Sequence, residues 1–234
     1  MVKEELIKRS PLRVFEQSIN GGLKSGEIGI VASQAGIGKT SVLVQLALDK
    51  LLQEKKVIHV SFTQHTHYVL AWYEDIFNEF ISRKNLENTD EVKNDLVKNR
   101  VLMNFNQDGV TKDQIIRSLK AMIIDGGFKA DSVMIDGFDF SRTDKSSIAN
   151  IKTFAKELGV SVWYSCSVKD DPGQYDRNNI PAVLGSFADL IDVVIVLQPK
   201  STHVELSVSR DRDTHVSRSM AMKLDPKTLL ILEA

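Results

Sequence analysis

The sequence predicts an α/β fold: a mostly parallel, twisted sheet with helices on both faces and an antiparallel C-terminal extension. Three observations predict it. Short apolar runs alternate with longer amphipathic stretches as far as Cys166, the rhythm of successive strand–helix units. A glycine-bearing turn, SQAGIGKT at 33–40, joins one such run to one such stretch. From 192 onward four strand-like runs follow one another with short turns, which pairs neighbours antiparallel.

Residues 1–20 read as an N-terminal arm or edge element. EIGIVAS (27–33) is the first strand candidate. KTSVLVQLALDKLLQEK (39–55) is a helix, with Val42, Leu43, Leu46, Ala47 and Leu51 at helical spacing. KVIHVSFT (56–63) is the next strand. YVLAWYEDIFNEFISRK (68–84) is an amphipathic helix carrying Val69, Leu70, Tyr73, Ile76, Phe77, Phe80 and Ile81 along one side, and Trp72 reads as part of the same core. RVLMNF (100–105) is a third strand. TKDQIIRSLKAMIID (111–125) opens on Thr111 and Gln114, a capping-box spacing that predicts a helix start. DSVMID (131–136) is a strand, SSIANIKTFAKELG (146–159) a helix closed by Gly159, and VSVWYSC (160–166) a strand. DVVIVLQ, HVELSVSR, SMAMKLD and TLLILE form the closing set of strands.

The 234 residues, 42% hydrophobic and 26% charged, suit one domain spanning 1–234. A net charge of −1 carries no signature of a polyanion partner. The lone cysteine, Cys166, reads as a small core residue and points to a reducing compartment. MVKEELIKRS is too charged for a signal peptide. No apolar run approaches the ~20 residues of a membrane helix. The expectation is a cytoplasmic protein with no membrane segment.

The turn at 33–40 carries the chemistry. A glycine-rich loop between strand and helix turns backbone N–H groups inward, and with the helix N-terminus makes an anion site. Ser33, Gln34, Ala35, Gly36, Ile37, Gly38, Lys39, Thr40 and Ser41 would form that cradle. Lys39 would reach the β- and γ-phosphates, and Thr40 would place its hydroxyl on Mg²⁺. Ser33 stands where such loops carry a first glycine. The second half of a metal site is a carboxylate ending a buried strand, and Asp136 follows Val133, Met134 and Ile135.

The stretch INGGLKSGEIGIVASQAGIGKTSVLVQLAL resembles the RecA-like P-loop ATPases, within them the KaiC/RadA branch, through Gly22-Leu23 and Gly26-Glu27 leading into the loop. VIHVSF, SVMIDGF, VSVWYSCS, FADLIDVVIVL and LSVSRDR follow in the matching order. The resemblance implies a RecA-like core binding ATP and Mg²⁺. It also implies a homo-oligomer, a hexameric ring or filament, with nucleotide between subunits and Arg210 and Arg212 reaching a neighbour's phosphates in trans.

One departure bears on turnover. The resemblance calls for a glutamate after Phe62, which polarises the attacking water. Here Thr63 and Gln64 follow instead. A general base contributes about 10²–10⁴-fold. Gln64, Asp139, His65 or His67 would be substitutes. A zinc reading of the two histidines lacks Cys or carboxylate partners at ligand spacing. The loops that would line a ring axis, GFDFSRTDKSS and KDDPGQYDRNN, lack clustered Lys and Arg, and Tyr175 alone is a thin base-stacking platform. This argues against a nucleic-acid partner. The expectation is an ATP-Mg²⁺-binding regulatory or scaffold protein, at most a weak ATPase, whose assembled state a protein partner would read. The alternatives are an active ATPase with a relocated base and a DNA recombination or repair ATPase.

Overall fold

The computed structural model describes residues 6–7, 10–63, 65–84, 89–106, 112–169 and 174–233. In chain order the elements are α1 (Leu12–Ser18), β1 (Ile28–Ser33), α2 (Lys39–Leu52), β2 (Val57–Ser61), α3 (Thr66–Lys84), α4 (Asp90–Lys98), β3 (Arg100–Asn104), α5 (Lys112–Lys120), β4 (Ser132–Asp136), α6 (Lys145–Leu158), β5 (Ser161–Ser167), β6 (Val193–Pro199), β7 (Val204–Asp211), β8 (Thr214–Leu224) and β9 (Ile231–Glu233). The strands form one nine-stranded sheet in the order β3-β2-β4-β5-β1-β6-β7-β8-β9. From β3 to β6 neighbours pair parallel. From β6 to β9 they pair antiparallel. The α/β class and the antiparallel extension are as the sequence predicts.

Strand alternation sends side chains into two cores. Ile28, Ile30 and Ala32 of β1 join α5 and α6 on one face. Val31 joins α1, α2, α3 and α4 on the other. Every residue of β1, β2 and β4 is buried, as parallel strands covered on both sides require. In α3, Val69, Tyr73, Ile76 and Phe77 are buried and Trp72 packs against them. Helix α6 starts on Asp144, whose carboxylate accepts from the Ser147 N–H at 2.9 Å, and closes at Gly159.

Three features differ from the sequence reading. Helix α4 was not foreseen, because only Val92 and Leu96 of its nine residues are buried. Helix α1 occupies the expected arm, with Leu12 and Phe15 buried. Strand β8 runs eleven residues rather than the shorter run expected, since its register shifts against β7 and scrambles the alternation. Thr111 lies outside the described residues. Among the described residues no helix is long and apolar enough to cross a membrane.

Candidate functional site

Six parallel strands point their C-terminal ends the same way, and the glycine-bearing loop leaves that edge from β1. Ligands of open α/β sheets bind there. Gly36 and Gly38 take φ of +78° and +112°. At Gly38 the left-handed backbone angle requires glycine, and a Cβ there would also have to displace the Leu224 Cδ2 methyl, 2.4 Å away. Helix α2 starts at once on Lys39. Gly38, its N-cap, offers no side chain to the first-turn amides, so no cap competes with an anion for them.

Lys39 is only 8% exposed. Its Nζ donates to Gln34 O at 2.8 Å, Ser33 O at 3.2 Å and Ser33 Oγ at 3.4 Å. Burial pulls its pKa below the usual lysine value, and the nearby Asp136 carboxylate opposes that shift. Beside it, Thr40 Oγ1 donates to Asp136 Oδ2 at 2.8 Å. Asp136 ends β4, two strands from β1, and is 3% exposed. Lysine, hydroxyl and carboxylate, 96 residues apart in sequence at their widest hydrogen bond, thus meet at one sheet edge.

The residue after Phe62 reaches this edge too. The Phe62 N–H donates to Asp136 O at 2.9 Å, which aligns the end of β2 with the end of β4. Thr63 then lies against Gly137, whose φ is +77°. The Gly137 N–H donates to Ser165 Oγ at 2.8 Å. Gln64 lies outside the described residues. Asp139 is used as a cap: its Oδ1 accepts from the Ser141 N–H at 2.9 Å and the Ser141 hydroxyl at 2.6 Å. Thr63 and Asp139 both line a cavity of about 520 Å³ with Phe138, Lys169 and Gln174. His65 and His67 are exposed with rings stacked 5.9 Å apart. Cys166, buried at the end of β5, has its thiol pushed up to about 12 by burial, with Lys39 opposing. It is a core residue, as expected.

The two arginines sit at the opposite sheet edge. Val193 of β6 pairs with Gly29 near the start of β1, and Asp211 pairs with Val193. Arg210 and Arg212 therefore cannot serve their own chain's loop. Arg212 is also fully engaged at home. Its Nε and Nη2 make a bidentate pair with Glu27 at 2.9 Å each, Nη1 donates to Asp211 and Ile19 O, and Nη2 donates to Gly22 O. That accounts for all five guanidinium N–H donors. Within its own chain Arg212 fastens the N-terminal turn to the β7–β8 turn. Arg210 is half-buried, with its Nε donating to Arg212 O at 3.0 Å.

Sequence reading missed what braces the loop from behind. Ser41 Oγ and Gln45 Nε2 both donate to Leu229 O, at 2.5 Å and 2.9 Å, and Gln45 Oε1 accepts the Ile231 N–H at 2.8 Å. The β8–β9 turn is thereby bolted to the first two turns of α2. A signal existed: Gln45 is a buried polar residue inside the apolar run VLVQLAL, one turn after Ser41. No known protein-family model matches this chain, and no curated protein resembles it significantly.

Proposed function

We propose that the chain is an ATP-Mg²⁺-binding protein with a RecA-like core of the KaiC/RadA kind, acting as a nucleotide-dependent regulatory or scaffold protein with slow or absent hydrolysis. The observation that carries this reading is the contact of Thr40 with Asp136 beside Lys39, at the end of a glycine-bearing loop. A hydroxyl and a carboxylate at that spacing are the donor set for Mg²⁺, which takes few protein oxygens and shares the rest with phosphates and water. Bound there, the metal would neutralise phosphate charge. Thr40 and Asp136 would hold it, the loop amides and Lys39 would hold the phosphates, and Ser41 and Gln45 would keep the start of α2 in place.

Slow turnover rests on Thr63. Its threonine stands where a base would act, and a hydroxyl does not accept a proton at neutral pH. Asp139, the nearby carboxylate, is tied to Ser141. Assembly through Arg210 in trans fits its position at the edge away from the loop. Titration of wild type and Lys39→Ala with a fluorescent ATP analogue tests the reading. Mg²⁺-dependent saturation in wild type and its loss in the variant support it. Equal binding by both would contradict it.

A further inference from the structure

The phosphate-binding lysine is held by its own loop. An ammonium has three hydrogens, and Lys39 Nζ has three acceptors: Gln34 O, Ser33 O and Ser33 Oγ. Two of the three belong to Ser33, which is fully buried at the end of β1. The Ser33 hydroxyl does a second thing. It donates to Gln34 O at 3.0 Å, the carbonyl that takes the shortest of the lysine's bonds. A glycine at 33 would keep the two carbonyl acceptors and lose both side-chain contacts.

We propose that Ser33 is a positioning residue that latches Lys39 against its own loop, so that an incoming nucleoside triphosphate competes with the loop for its own lysine. The inference rests on the nucleotide reading above and adds regulation to that site. The serine in the first-glycine position becomes a device that weakens and slows triphosphate capture. It also makes binding conditional, since the β- and γ-phosphates must replace the three protein oxygens that Lys39 bonds to. A nucleoside monophosphate, which leaves Lys39 without a distal phosphate, has nothing to offer in exchange.

The test compares wild type, Ser33→Ala and Ser33→Gly, all full-length, by two measurements. The first is Mg²⁺-ATP affinity by calorimetry. The second is acylation of Lys39 by an amine-reactive ester in nucleotide-free protein, mapped by mass spectrometry. The latch predicts that both variants bind about three- to tenfold tighter, the size of one modest hydrogen bond. It also predicts that Lys39 labels several-fold faster in both. Ser33→Ala removes the hydroxyl without adding backbone freedom, so it reads the latch even if Ser33→Gly loosens the loop. Unchanged or weaker binding in the variants, with wild type binding normally, overturns the latch and makes the hydroxyl a nucleotide contact or a bystander. If wild type binds no ATP, the nucleotide reading fails on its own, and equal labelling rates would then overturn the latch independently.

Discussion

Thr63 lies directly over Gly137, so closely that a Cβ on the glycine would stand 2.5 Å from Thr63 Cγ2. The contact joins the end of β2 to the residue after the Asp136 carboxylate. It holds Thr63 beside the sheet edge that carries Asp136. Replacing Thr63 with Glu puts a carboxylate at that point. The expected outcome is a rise in ATP turnover of roughly 10²-fold, the low end of a general-base contribution. Phosphate release under single-turnover conditions checks it.

Gly137→Ala tests the same contact from the other side. The alanine must adopt a φ of +77° and displace Thr63. Left-handed strain of ~1–2 kcal/mol and overpacking of ~1–3 kcal/mol add up to a loss of about 2–5 kcal/mol. Urea denaturation measures it.

The two arginines separate stability from assembly. Arg212→Ala leaves Glu27 and the buried Asp211 short of a cation and should cost about 2–3 kcal/mol, somewhat less than a fully buried pair. Arg210→Ala should leave stability within about 0.5 kcal/mol, as at ordinary surface sites. It should instead reduce ATP-dependent assembly, read as mass-resolved oligomer populations. A drop in unfolding temperature for Arg210→Ala equal to that of Arg212→Ala would contradict this division.

His59 makes stability depend on pH. It is fully buried on β2, with Nδ1 3.0 Å from the Tyr73 hydroxyl and, among the described residues, no hydrogen-bond partner for Nε2. Burial lowers its pKa to about 4, with Arg100 adding to the shift and Asp136 opposing it. The folded value lies below that of a free imidazole, so the unfolded chain binds the extra proton. Stability is therefore fully present above about pH 6.5 and falls as pH drops toward 4, at most ~1.4 kcal/mol per pH unit from this group. Thermal unfolding of wild type against His59→Gln between pH 4 and 7 checks it: the variant should show a shallower dependence.

Gln45→Ala cuts the tie between α2 and the β8–β9 turn. It strands the buried Ile231 N–H, which costs ~1–3 kcal/mol. Hydrogen exchange should quicken at Leu230 and Ile231 before it does in the central strands.

Much of the sheet was legible, because each buried parallel strand is a short apolar run and each covering helix repeats its apolar residues at helical spacing. The meeting of Thr40 and Asp136 beside Lys39 was legible because a glycine-bearing turn between strand and helix and an acid ending a buried strand both fall at the C-terminal edge of a parallel sheet. What sequence could not reveal were partners. Nothing local in Arg212 signals that Glu27, 185 positions away, takes its guanidinium. Asp139 read as a spare carboxylate, yet its neighbour Ser141 makes it a cap. Helix α4 escaped notice because only Val92 and Leu96 of its nine residues are buried, which gives too faint a stripe.

The proposed reading is that this loop holds ATP-Mg²⁺ with slow or absent hydrolysis. Calorimetric titration of wild type with Mg²⁺-ATP, with released phosphate assayed in the same cell, tests it most directly. The account predicts saturable, Mg²⁺-dependent binding, abolished in Lys39→Ala, with turnover well below ~1 s⁻¹. Failure to bind, or turnover in the range of about 1–100 s⁻¹ typical of active kinases, would contradict it.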